Sequence, residues 1–305
     1  MRIFIRGPNS MQCALINNAR DLHLQHGPID LIIHAEGSKV VIDKAYSVAC
    51  RRFETVLPEL VTELSALRMP VSDGIRFSGT VARRMRVAAK RFSAAFLTPM
   101  IAVAGAVADE VLSEIIASVE GLQSVSVNNG GDIAVWLAPE HSNTVGIADP
   151  VDGQIVCRTQ INSYSGIGGI ATSGRHGRSI SLGIADSVTV MAKDAATADA
   201  AATLIANAVD LPASQKVSRQ AAVDIDPDSD LGMRMATVDV AKLTADETMQ
   251  ALKAGLDTAR QFKDRDCIVA AWLLLQGRWV ATEGNTAPLH NKRINSINTG
   301  EHVHA

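Results

Sequence analysis

Small side chains place the strongest constraint on what this chain can fold into. Alanine crowds two stretches, 102–108 and 195–208, and residues of that size let helices and neighbouring backbone approach closely. Only 4% of the 305 residues are aromatic while 47% are hydrophobic, so the core must be filled by aliphatic and small side chains at close packing. A chain of this length and apolar content buries a sizeable core, which excludes disorder of the whole. The formal charge of −3 gives no electrostatic footprint for nucleic acid and no acidic tail. A small or neutral partner is left open.

The opening residues, MRIFIRGPNS, lack the apolar run of a secretory signal, and no stretch reaches the length of a transmembrane span. No membrane partner is expected, and the expected location is cytoplasmic. Cys13, Cys50, Cys157 and Cys267 have no C-x-x-C spacing, which argues against zinc; they read as small buried hydrophobes, although their even number would permit two disulfides.

Turn signals and periodicity outline the elements. Strands are expected at 2–6 and 29–35, then a helix over 44–67 that the interior Pro58 should kink or split. A second helix over 80–96 carries Arg83, Arg84, Arg86, Lys90 and Arg91, a row that can bind phosphate but more commonly forms a solvated face. A small-residue helix runs to about 119. Strands follow at 124–127, 132–137, 145–148 and 155–162, then a glycine-dense loop at 166–177, a strand at 187–192 and an alanine-rich helix over 195–209. A strand near Ala221, a helix over 245–262 and a hairpin turning at Gln276-Gly277 complete the series. Helices and strands mix without a βαβ period, so the expected class is α+β, with mixed sheets and flanking helices in a single domain over 1–284. Residues 285–305, with His290, His302 and His304, have too little apolar content to order and read as a disordered tail.

Several motifs bear on chemistry. Gly166 to Ala171 fits G-x-G-x-x-A, with Asp186 further on, but Thr172-Ser173-Gly174-Arg175-His176-Gly177 is a poor helix, and the dinucleotide fingerprint needs a helix N-terminus at that point. The Rossmann reading is therefore rejected. The segment does offer free amides, hydroxyls on Thr172 and Ser173, Arg175 and His176, which could cradle phosphate or simply form a turn. Asn128-Asn129-Gly130-Gly131-Asp132 carries a strong hairpin signal, and Asn129 and Asp132 could also bond a sugar or base. Asp199 and Thr203 lie four apart on a predicted helix, so their oxygens share a face where Mg²⁺ could bind.

The order of these pieces resembles the ApbE superfamily, whose founding members are FAD:protein FMN transferases. The blocks are Gly105-Ala106-Val107-Ala108, Asn129-Gly130-Gly131-Asp132-Ile133, Val145 to Pro150, Ile170-Ala171-Thr172-Ser173-Gly174, Ser187-Val188-Thr189-Val190 and Ala198-Asp199-Ala200-Ala201-Ala202-Thr203. They cover roughly residues 99–210. The 99–106 form is most similar to a branch of that superfamily with no activity firmly attached. The resemblance implies a domain that binds FAD or a related flavin, a nucleotide-like ligand, with Mg²⁺ at its diphosphate. It implies Asp199, Thr203 and a backbone carbonyl near Ala106 at the metal, with Asn129, Gly130, Gly131, Asp132, Thr172, Ser173, Gly174 and Arg175 along the ligand. The implied chemistry is attack by a threonine hydroxyl of a protein acceptor on the FMN phosphorus, with AMP leaving.

This chain departs from the transferases where they carry Lys-Gly, having Asp109-Glu110, and it lacks their His-x-x-Asp-Pro-x-x-Gly segment, so a catalytic histidine is either absent or replaced by His176, the candidate. An FMN transferase-like or FAD pyrophosphatase-like enzyme, a non-catalytic flavin-binding module and a hydrolase of different chemistry on the same fold all remain open. So does the oligomeric state, a homodimer included.

Overall fold

The structure, a computed structural model, describes residues 11–92, 97–177 and 179–282 together with the backbone of 303–304. The strand expected at 2–6, the end of the helix expected to reach 96, and all of the expected tail except that short piece of backbone lie outside the described residues.

Along the chain run β1 (Gln12–Ile16), β2 (Asp21–His26), β3 (Ile29–Glu36), α1 (Lys39–Thr62), α2 (Leu64–Leu67), α3 (Thr80–Lys90), a 3-10 turn (Pro99–Ala102), α4 (Val103–Ser118), β4 (Ser124–Asn129), β5 (Asp132–Leu137), β6 (Ser142–Ala148) and β7 (Ile155–Asn162). Then come β8 (Gly169–Ser173), β9 (Ser187–Ala192), α5 (Ala195–Ala208), β10 (Val217–Ala221), α6 (Ala222–Ile225), β11 (Met235–Val240), α7 (Ala245–Asp264), β12 (Ala270–Leu275), β13 (Arg278–Ala281) and β14 (Val303–His304). The fold is α+β. Contacts divide it into two compact, discontinuous units: 1–141 with 166–171 and 192–200, and 142–165 with 172–191 and 201–305.

In the first unit β1 to β5 form an antiparallel ladder in sequence order, and Ile133 of β5 pairs with Ile170 of β8. The register pairs Leu22 with Ile33 and Leu24 with Leu31, so the two-residue period puts Leu22, Leu24, Leu31, Ile33, Val125 and Val127 on one buried face. Helix α1 covers β2 and β3, and α4 covers β4 and β5. Each such aliphatic side chain contributes about 1.5–3 kcal/mol on full burial. Ser38 caps α1 by accepting from the Val41 amide.

Helix α1 departs from expectation at Pro58. The helix passes through the proline and ends at Thr62. The missing N–H removes one bond, while Val56 and Leu60 on either side of it are buried and hold those turns in the core. The break comes at Glu63, whose carboxylate instead accepts the Ser78 and Gly79 amides ahead of α3.

The small-residue texture has a direct cause in the same unit. A Cβ placed on Gly105 of α4 would lie 2.2 Å from the Ala195 carbonyl oxygen at the start of α5. Only glycine permits that approach. The glycine-dense segment, expected to be a loop throughout, contains β8 (Gly169–Ser173). A strand rather than a helix follows its glycines, in keeping with the rejected dinucleotide fingerprint.

In the second unit β12 pairs with β9 and with β13, joined through Gln276 and Gly277 at positive φ. Helix α7 packs on β12 and β13. It opens with a capping box in which Thr244 and Glu247 satisfy each other's backbone amides. Two further sheets, β6 with β7 and β14, and β10 with β11, complete the unit. Among the described residues no helix is long and apolar enough to cross a membrane.

Candidate functional site

The hairpin expected at the Asn-Gly signal is present. Gly130 and Gly131, with φ 67° and 110°, form its two-residue turn, and Asn129 pairs with Asp132 across it. Asn128 Oδ1 accepts the Gly131 amide at 2.8 Å. The turn leaves Asn129 at the end of β4, where its Nδ2 donates to the Ala104 carbonyl at 3.1 Å. The next amide, Gly105 N–H, donates to Asp199 Oδ2 at 3.0 Å. Thus the first unit brings Asn129, the first turn of α4 and Asp199 into one connected group, with Ala106 buried in that same turn.

Asp199 lies deep in the protein yet keeps some accessible surface. Burial pushes its carboxyl up to about 7, against the opposing pull of the Gly105 and Ala104 amides and with a further push from the charge on Asp109. Among the described residues no cationic side chain bonds it.

Asp109 and Glu110, where the resemblance leads one to look for Lys-Gly, are both buried and both committed. Asp109 accepts the Ala195 and Ala196 amides at 2.9 and 2.8 Å, so it neutralises the N-terminus of α5. Burial raises its carboxyl to about 6 despite those bonds. Glu110 accepts from Arg52 Nε at 3.1 Å, Thr80 Oγ1 at 2.6 Å and Arg84 Nε at 2.8 Å. Burial alone would raise the Glu110 carboxyl, but these donors outweigh it and hold it below the usual range. Arg52 also makes a paired contact with Glu59. The basic row on α3 is therefore largely engaged: Arg83 donates to the Ser78 carbonyl, and Lys90 meets Asp73. A cavity of about 340 Å³ remains beside Thr80, Arg83, Arg84, Asp109, Glu110 and Thr197.

The second unit holds the remaining expected residues. Thr172 and Thr189 hydroxyls lie 2.9 Å apart, and Thr203 Oγ1 donates to Ser173 Oγ at 3.4 Å. Asp186, 3% exposed, is the hub that the sequence reading did not find. It accepts from Arg175 Nε at 2.8 Å, lies 3.2 Å from His176 Nε2, and takes the Gln276 amide on its other oxygen. A Cβ on Gly174 would lie 2.4 Å from the Asp186 carbonyl oxygen, so glycine at 174 lets the Arg175-His176 turn fold onto this carboxylate. The sequence signal for Asp186 was its place just before the Ser187–Ala192 strand, beside a segment rich in donors.

Asp199 thus belongs to the first unit and Thr203 to the second, one turn apart on α5. Among the described residues no three His, Cys, Asp or Glu side chains gather as a metal cluster.

The family model described as AbpE bacteria matches residues 13–281. A UPF0280 protein of Methanopyrus kandleri is 34% identical over 181 residues, covering 58% of this chain and 69% of that protein. A UPF0280 protein of Methanothrix thermoacetophila is 39% identical over 122 residues, 39% of this chain and 48% of its own, so the match spans about half of that relative. Among solved structures, the flavinyl transferase ApbE of Pseudomonas stutzeri in its apo form is similar at 12% identity and TM-score 0.45, over 92% of this chain and 96% of that chain. The ApbE protein of Thermotoga maritima is similar at 13% identity and TM-score 0.44, over 85% and 96%. With the family model matched over most of its length, this chain belongs to the AbpE family, the ApbE-like group to which its motif order points.

Proposed function

We propose that the protein binds FAD or a related flavin dinucleotide together with Mg²⁺ and acts at the diphosphate, as an FMN transferase-like or FAD pyrophosphatase-like enzyme. The observation that carries this reading is Asp199. A deeply placed carboxylate whose partners are backbone amides costs several kcal/mol to ionise, and a cation offsets that cost. Asp199, the Thr203 hydroxyl and the Ala106 carbonyl are hard oxygen donors that suit Mg²⁺, which keeps several waters and needs few protein ligands. Bound there, Mg²⁺ would neutralise charge developing on the diphosphate oxygens.

The rest of the work falls to this chain's own groups. Asn129 to Asp132 and Thr172 to Arg175 line the ligand with amides, hydroxyls and one guanidinium. With His176 Nε2 turned to Asp186, Nδ1 is the ring nitrogen that would take a proton in this reading. In transfer, a threonine hydroxyl of a protein acceptor forms the new O–P bond at the FMN phosphorus, its proton passes to His176 Nδ1, and the bond to AMP breaks. In hydrolysis, water takes the place of that hydroxyl.

One observation favours a second reading, a flavin-binding module without catalysis: both residues at the Lys-Gly positions are spent on internal bonds. A single experiment separates the readings. The protein is incubated with FAD and Mg²⁺, AMP, FMN and flavinylated acceptor are assayed, and Asp199→Ala is compared. Turnover that collapses in the variant supports the enzyme. Turnover equal to wild type removes the metal from Asp199, tight FAD binding without turnover selects the module, and absence of flavin binding sinks both.

A further inference from the structure

Cys13 and Cys50 are thirty-seven residues apart in sequence, yet their Sγ atoms lie 3.2 Å from each other. Cys13 belongs to β1 and pairs with Leu24 across the ladder, so it faces α1 with the apolar row; Cys50 stands on α1 itself. Among the described residues β1 is the edge strand of its sheet, with β2 as its neighbour. The two sulfurs therefore meet where an edge strand, held by one ladder of hydrogen bonds, rests on a long helix. We propose that Cys13 and Cys50 form a reversible dithiol–disulfide pair, a modification site that fastens β1 to α1.

The geometry supports closure. A disulfide needs its sulfurs at about 2.05 Å, so they must approach by roughly 1.2 Å from their present 3.2 Å. Both residues are half-buried, so a small reagent can reach them, whereas Cys157 and Cys267 are buried and stand alone. A metal chelate is the competing use of two thiols. Among the described residues no third His, Cys, Asp or Glu joins them, and two sulfurs leave a tetrahedral zinc site half-filled.

Burial raises both thiols above the usual cysteine range, so at neutral pH the pair rests as thiols. The oxidant is a low-molecular-weight disulfide. The Cys13 thiolate attacks one of its sulfurs, a mixed disulfide forms and one small thiol leaves. Cys50 then loses its proton to solvent, attacks Cys13 Sγ and expels the second small thiol. Two protein thiols and one small disulfide become one protein disulfide and two small thiols.

The test uses the full chain, oxidised glutathione as the probe, and maleimide trapping before mass spectrometry. We expect a loss of about 2 Da with the disappearance of two alkylation sites, a linked peptide pairing Cys13 with Cys50, and reversal by dithiothreitol. The oxidised form should melt several degrees above the reduced form, because the bond closes a long loop in the unfolded chain. Cys50→Ser should stop at a stable mixed disulfide on Cys13. A wild-type chain that stops at the same mixed disulfide, keeps both thiols free to alkylate, or links either to Cys157 or Cys267 while folded overturns the proposal.

Discussion

Two acids near the expected ligand residues are held in opposite ways. Asp186 in the second unit has Arg175, His176 and the Gln276 amide around it, so its charge is matched where it sits. Asp199 in the first unit has backbone amides and a neighbouring aspartate, so its charge is favoured by dipoles alone and opposed by Asp109. A matched carboxylate organises the groups that point at it. An unmatched one is tolerated in two ways, by taking up a proton or by taking up a cation, and either makes its occupancy depend on solution conditions.

The largest expected effect comes from removing the matched charge. Asp186→Ala leaves the Arg175 guanidinium and the Gln276 amide without their acceptor inside the fold, and breaking a buried pair from one side typically costs about 3–5 kcal/mol. Chemical denaturation should show that loss, and a variant within 1 kcal/mol of wild type, on the order of one weak bond, would mean that the hub is dispensable. Asp199 should behave in the reverse sense. Its folded value of about 7 lies above the ordinary 3.8, and that of Asp109, about 6, does too. Folding therefore favours their protonated forms, so the stability they contribute is complete below about pH 4 and is lost as pH rises toward 7. Asp199→Asn should flatten that decline and match or exceed wild-type stability near pH 8, by about 1–2 kcal/mol. Mg²⁺ should raise the wild-type melting temperature near pH 8 and leave the variant unmoved. An equal response of both proteins would dissociate the ion from Asp199.

Much of this architecture was legible from local pattern. The strand at 187–192 and the helix starting at Ala195 and ending near Ala208 follow directly from apolar runs and alanine content. The hairpin at Gly130-Gly131 follows from turn chemistry. What escaped was set by distance in sequence. Gly169 reads as a loop residue until one sees that an added Cβ would strike the backbone at Asp194 and Ala195, and so β8 was missed. Asp109 and Glu110 read as departures from a motif, because their partners at Ala195, Ala196, Arg52 and Thr80 are far along the chain. The β1–β2 hairpin had a signal that could have found it: Leu22 and Leu24 alternate with polar residues, and Asn17 and Asn18 take the positive φ of a tight turn. Among the site residues, the motif order pointed to Asn129 and Asp199, but nothing local shows that the Ala104-Gly105 backbone joins them.

The smallest expected effect on stability is the one that separates scaffold from chemistry. His176 sits at the rim of the Asp186 cluster, with its side chain 32% exposed and its contact at 3.2 Å, longer than that of Arg175 on the same carboxylate at 2.8 Å. If it is removed, Asp186 still holds Arg175 and the Gln276 amide, so no buried charge is left unmatched. His176→Ala should then cost under about 1 kcal/mol in denaturation, as the loss of a partly exposed side-chain contact generally does. The same substitution removes the group proposed to take the acceptor proton, and general acid–base contributions are worth roughly 10²–10⁴ in rate. A stable variant with turnover on FAD reduced that far makes His176 a catalytic residue. A stable variant with unchanged turnover confines it to the rim of the Asp186 hub.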